Sequence, residues 1–315
     1  MGNTIFRTQY KLKSEEKQLD YSSEILLFGS CFSENINKKL EYYKFNSTLN
    51  PYGILFHPAA IEKAILECLE NKIYTDEHLI FHKELWHSFQ HHSNFSGLDK
   101  QQVLDKINTT INKTHKKLKS ATHIIITLGT SWVYEYLEQE LTVANCHKIP
   151  QKKFRKKILT VEGSTRILEN IKKQIRSINP KVNFIFTLSP VRHLKDGMVE
   201  NAQSKAQLLS AIHNVIDAHS FYFPSYEIML DDLRDYRFYK RDMIHPNATA
   251  IDYIWDNFKA TWISKATERN MFEVDAIQKA LQHKAFYPES AQHKKFLEDL
   301  KNRILKLEQQ YNILF

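Results

Sequence analysis

The chain has 315 residues, 42% of them hydrophobic and 25% charged, a balance that excludes a disordered polymer and allows one sizeable core, alone or with an appendage. No run reaches the ~20 apolar residues a membrane-spanning helix needs, and the opening MGNTIFRTQYKLKSEEKQ is polar, so a cytoplasmic protein with no membrane attachment is expected. The formal charge of +8 is spread along the chain, with a local run at Lys152, Lys153, Arg155, Lys156 and Lys157, and brings no nucleic-acid-binding signature with it, which sets nucleic acid aside as a partner.

Phe6 stands where a myristoylation motif requires Ser or Thr, so Met1-Gly2 reads as an ordinary start. Cys31, Cys68 and Cys146 are odd in number and lack CxxC spacing, so neither a disulfide framework nor a structural zinc site is suggested.

In chain order, an apolar run at residues 25–28 predicts a buried strand that ends in Gly29-Ser30-Cys31-Phe32-Ser33. Helical spacing follows over 33–43, with Ser33 at the N-cap, and over 58–69, which opens on Pro58. Residues 71–99 have no clear period and carry Trp86, His87, Ser88, His91, His92 and Ser93. A helix over 101–118 and a strand over 122–128 come next, then an antiparallel insertion over 131–160 around Tyr134, Tyr136 and Val143. A helix at 164–177, a strand at 182–188, a helix at 199–219 and a weaker strand at 220–223 complete the alternation, which predicts a mainly parallel sheet covered by helices on both faces. Beyond Trp262 the chain turns polar and helical, with Leu297, Leu300, Ile304 and Leu307 on one stripe that needs a partner. The expected division is a domain over 1–264 and a helical extension over 265–315, through which a homo-oligomer could form.

Two turns carry the chemistry. A nucleophile just after the first strand lies at the carboxyl end of a parallel sheet, where ligands gather, and a helix N-terminus there lowers a thiol pKa and presents N–H groups to an oxyanion. Far downstream, Asp242 precedes His245 by three residues on a tight turn before Pro246, a spacing that sets a carboxylate against one imidazole nitrogen and frees the other. His87 and His91 would share a face if their segment were helical, but no HExxH pattern or carboxylate cluster accompanies them, so neither a metal nor another cofactor is expected. Asn201, Ser204 and Lys205 occupy one helical turn after Ser189-Pro190-Val191-Arg192-His193, near the same rim. Tyr222, Phe223, Tyr226 and Tyr236 read as core.

Residues 28–33, Asn50-Pro51-Tyr52-Gly53, Trp86-His87-Ser88, Leu128-Gly129-Thr130-Ser131-Trp132, Asn145-Cys146-His147-Lys148, Thr187-Leu188-Ser189-Pro190-Val191 and the 242–246 stretch together resemble, in order, the blocks of the GSCFA family. Ser33 stands where that family usually has Ala. The family is similar to SGNH/GDSL hydrolases, and the resemblance implies a flavodoxin-like three-layer sandwich with C-terminal helices appended. It implies further that Asp242 and His245 are the DxxH pair, that Gly53 and Gly129 match the oxyanion glycines, and that Ser131 stands where a side-chain oxyanion donor is expected. Strict register puts Cys31 at the nucleophile position, with Ser30 beside it as the alternative. His87, His147, Lys148, Asn201 and Lys205 are the expected substrate-binding residues. The function implied is acyl transfer, by an esterase or acetyltransferase acting on O-acyl groups of a carbohydrate or small molecule; the alternative is a non-catalytic module that binds a glycan or a protein partner.

Overall fold

The computed structural model describes residues 9–311 and 313–315; the Met1-Gly2 start and Phe6 lie outside them. Five parallel strands form the central sheet: β1 (Glu24–Gly29), β2 (Asn46–Leu49), β5 (His123–Leu128), β9 (Asn183–Leu188) and β10 (Ser220–Phe223), side by side in the order β10-β9-β5-β1-β2. That is the order of a flavodoxin-like doubly wound sheet, and the winding reverses between β1 and β5, where such folds bind ligands.

Strand side chains alternate between two cores, as period-two geometry requires. Leu26, Phe28, Ile124, Ile126, Phe184 and Phe186 pack beneath α2 (Pro58–Leu69), α3 (Lys100–Ser120), α4 (Val161–Ile178) and α5 (Met198–Asn214). Ile25, Leu27, Ile125 and Ile185 pack on the other face against α1 (Cys31–Tyr42) and α7 (Ala248–Trp262). With both faces covered, the interior strands read as unbroken apolar runs. The edge strand β2 is polar in three of its four residues and partly exposed, and its Asn-Ser-Thr-Leu sequence gives no strand signal.

Two small sheets interrupt the winding. β3 (Ile80–His82) and β4 (Leu85–His87) form a hairpin turned by Lys83 and Glu84, both at positive φ, a type of tight turn that usually announces itself with glycine or asparagine. The predicted antiparallel insertion is β6 (Trp132–Tyr136), β7 (Leu141–Val143) and β8 (Phe154–Ile158), with β6 in the middle. Its basic run is largely neutralised: Arg155 and Lys157 each lie 2.6 Å from Glu135, Lys156 lies 2.6 Å from Asp196, and Lys153 lies 2.8 Å from Glu138.

A three-residue helical turn, α6 (Ser225–Glu227), follows β10, and α8 (Lys265–Gln282) and α9 (Ala291–Tyr311) follow α7. The apolar stripe of α9 is spent within the chain: Leu300 and Leu307 are buried in the same core as Trp255 and Phe258 of α7 and Met271 and Val274 of α8, while Leu297 stays exposed. Among the described residues no helix is long and apolar enough to cross a membrane.

Candidate active site

Because β1, β5 and β9 are parallel, the turns that follow them share one rim. Gly29 closes β1 at φ +141°, and a Cβ there would stand 2.2 Å from the Thr127 carbonyl oxygen, so only glycine fits. Ser30 N–H then donates to Thr127 O, and Ser30, not Ser33, is the helix N-cap: its buried Oγ accepts from Phe32 N–H at 3.3 Å. Ser33 Oγ donates back to Ser30 O at 2.5 Å, and Asn50 braces the turn, its Oδ1 accepting from Gly29 N–H at 2.8 Å and its Nδ2 reaching Ser33 Oγ at 3.4 Å.

This locking separates the two nucleophile candidates. Ser30 is fully buried and used as a cap, whereas Cys31, the first residue of α1, is half-buried. The helix N-terminus was expected to lower the thiol pKa, but the net shift is upward. Burial is the largest cause and the Glu34 carboxylate adds to it, outweighing the opposing pull of the Cys31 N–H, Lys205 and Lys240. Cys31 is therefore a protonated thiol near neutral pH, one that needs a base.

The second turn supplies an imidazole. His245 Nδ1 lies 2.8 Å from Asp242 Oδ2, and Asp242 Oδ1 accepts from the backbone N–H groups of Ile244 and His245 at 2.9 and 3.0 Å. The His245 N–H leads, ahead of the Ile244 N–H and the ring, in holding the Asp242 carboxyl down at about 2. With the proton on Nδ1, Nε2 is left as the basic nitrogen. Among the described residues Nε2 has no hydrogen-bond partner, Cys31 and Ser30 included. Met243, at φ +58°, makes the turn, and Arg192 from the segment after β9 clamps it: its guanidinium lies 4.3 Å from the Tyr239 ring and donates to Met243 O at 3.1 Å.

Between the turns stand Lys205 and His193. Lys205 on α5 is 1% exposed, its Nζ donates to Ser189 O at 2.7 Å, and burial pulls its pKa down to about 7 while the neighbouring Cys31 works the other way. His193, lowered to about 4 by burial and then by the charge of Lys205, is neutral at physiological pH. Its buried Nε2 has no hydrogen-bond partner among the described residues and packs so close to Gly129 that a Cβ there would lie 3.1 Å away. Asn201 acts through this residue, its Oδ1 accepting from His193 N–H at 2.9 Å. His193 has no sequence signature of its own beyond following the Ser189-Pro190 turn.

The other expected site residues divide. Gly53 N–H donates to Asn50 O and Gly129 N–H to Phe56 O, while Ser131 Oγ faces Gln207 at 3.4 Å and its N–H donates to Ser204 Oγ at 2.7 Å, so all three are engaged within the protein. His87 is buried in β4 with both ring nitrogens bonded, to Ser96 and to His82 O; its ring lies 4.5 Å from that of His147 but does not itself line the cleft beside the rim. His147 and Lys148 line that cleft, which also reaches Thr130 and His193. His91 is not helically paired with His87; it stacks on Tyr52 at 4.1 Å, and among the described residues no group of three His, Cys, Asp or Glu side chains could hold a metal ion.

Comparison with curated proteins finds no match. Residues 274–315, comprising the second half of α8 and all of α9, match the C-terminal domain of GSCFA domain proteins. Residues 24–258, which contain the whole parallel sheet and both turns of the rim, match the GSCFA family, and the chain belongs to that family.

Proposed function

We propose that the protein is an acyl-transfer enzyme of SGNH-like design in which Cys31 is the nucleophile, His245 the general base and Asp242 its orienting partner. The observation that carries this reading is the 2.8 Å Asp242–His245 pair, clamped by Arg192 from the segment after β9, together with a half-buried thiol at the start of α1 that is protonated at rest. In the reaction the Cys31 S–H proton passes to His245 Nε2 as Sγ bonds to the carbonyl carbon of an ester, and the same proton then leaves on the departing alcohol. Water or an acceptor hydroxyl, deprotonated by His245, releases the acyl group from sulfur. The tetrahedral oxyanion would be met by the Cys31 N–H at the start of α1 and by His193 Nε2–H, a neutral donor held in a water-poor wall, rather than by Gly53, Gly129 or Ser131, whose donors are engaged. Lys205 stabilises the transient thiolate. The His245–Cys31 contact forms in the substrate complex on this reading, since such bonds are commonly loose without substrate. Esters of small molecules or carbohydrates are the substrate class.

One panel tests it: short-chain O-acyl and thioesters with the wild type, Cys31→Ala, Ser30→Ala and His245→Ala, each followed by mass spectrometry for an acyl adduct. The expected result is an adduct on Cys31 and a loss of at least about a hundredfold in Cys31→Ala and His245→Ala, with Ser30→Ala active. The engaged oxyanion donors and the free His245 Nε2 favour a second reading, a binding module without turnover. Full turnover in Cys31→Ala would return the role to Ser30, and neither turnover nor an adduct with any ester would select the binding module.

A further inference from the structure

The cleft beside the rim has a volume of about 640 Å³, within the range of small-molecule sites. The loop after β2 and the three-stranded insertion supply its apolar walls, Phe56, Trp132, Tyr134, Val143 and Phe154. Its inner end is Thr130 and His193. His57, His147 and His193 in the wall carry no charge at neutral pH, since burial lowers each to about 4. The charge at the mouth is one-sided. Asp196, the acidic residue in the lining, is held 2.6 Å from Lys156, which itself lies over the Trp132 ring at 4.3 Å. Lys148 and Lys195 also line the cleft, and among the described residues neither has a carboxylate partner. His147 and Lys148, both in the lining, hold left-handed backbone, at φ +47° and +59°, an arrangement L-residues adopt at a cost.

We propose that this cleft binds an organic anion with an apolar body: the chain or ring lies against Phe56, Trp132 and Tyr134, and its carboxylate or phosphate meets Lys148 and Lys195. The insertion, an excursion from the parallel sheet, is thus the specificity element. An aromatic wall takes the apolar body by area burial, and two ammonium groups without a carboxylate partner among the described residues, Lys195 lying 5.9 Å from the Tyr134 ring, select the anion. A ligand seated this way points its far end at His193, and only this last step rests on the acyl-transfer reading above.

Cys146 reports occupancy, because it lines the cleft and is partly exposed, whereas Cys68 is buried. Maleimide labelling of the wild-type protein, mapped by peptide, is followed against octanoate, octyl phosphate and uncharged octanol, and repeated on Lys148→Gln/Lys195→Gln. Either or both anions should protect Cys146 at concentrations about tenfold below octanol, and the tighter of the two identifies the head group. In the double variant the anions should weaken about tenfold to the level of octanol, with octanol itself unchanged, which also shows the cleft intact. Equal protection by octanol and the anions in the wild type, anion protection undiminished in the double variant, or no protection at all would overturn the proposal. Cys31→Ala separates the two readings: anion protection of Cys146 that persists alongside undiminished ester turnover in this variant keeps the cleft assignment and removes the catalytic one.

Discussion

The two turns of the proposed centre are held in opposite ways. The turn after β1 is buried and over-determined: Gly29 touches the next strand, Ser30 caps a helix from full burial, and Asn50 bonds both Gly29 and Ser33. The turn before α7 is a surface feature, with the side chains of Asp242 and His245 44% and 40% exposed and their pairing supported by three local hydrogen bonds. A reactive group built into the core couples chemistry to stability, whereas one carried on an exposed turn can be lost with the fold untouched. The difference predicts how each residue fails.

The largest effect is expected at Gly29. Gly29→Ala forces a Cβ into the Thr127 carbonyl at a φ that L-residues avoid, and should cost about 3 kcal/mol or more in urea denaturation or prevent soluble expression; a loss under about 1 kcal/mol would mean the turn is softer than described.

Lys205 comes next and carries a pH signature. Its folded pKa of about 7 lies below the ordinary 10.5, so between these values the unfolded chain binds more protons. Stability should therefore rise with pH across that window and be lowest below about 7. Lys205→Met should flatten this slope and raise stability near pH 7 by an amount on the order of a few kcal/mol, while slowing thiol chemistry at Cys31. An unchanged slope would move the lysine out of the buried wall.

Asn50→Ala removes the acceptor for Gly29 N–H and should cost ~2 kcal/mol, read as a shift in denaturation midpoint with unchanged m-value. Ser30→Ala removes an N-cap and should cost ~1 kcal/mol with turnover retained. At the bottom of the stability scale, His245→Ala should leave the denaturation midpoint in place and abolish ester turnover; a marked loss of stability would erase the contrast between the two turns.

Much of this arrangement is legible in the sequence, and the reasons are local. The three central strands stand out because burial on both faces demands unbroken apolar runs, and the insertion because its Tyr134, Tyr136 and Val143 alternate. β2 escapes because an edge strand can be polar, and the β3–β4 turn because Lys83 and Glu84 replace the residues that normally mark it. Helix α1 begins at Cys31, ahead of the expected Ser33, because the strand's carbonyl ladder positions Ser30 as the cap, which no sequence rule sees. The Asp242–His245 pair is readable because its geometry is spelled out within four consecutive residues. His193 is not, since its position depends on Gly129, far away in the chain, as well as on Asn201 in the helix that follows.

By itself the sequence determined the alternation of elements, the parallel sheet and the two turns at its rim, because hydrophobic period, glycine placement and the Asp-x-x-His spacing act over a few residues. The tertiary structure decided which groups are free to act. That Ser30 is held against Thr127 as a buried cap, that Cys31 keeps its proton, that Gly129 spends its N–H on the Phe56 carbonyl, and that Lys148 and Lys195 line a cleft with its acid neutralised all follow from burial and from partners distant in the chain, and desolvation and hydrogen-bond competition exist only once those partners have met.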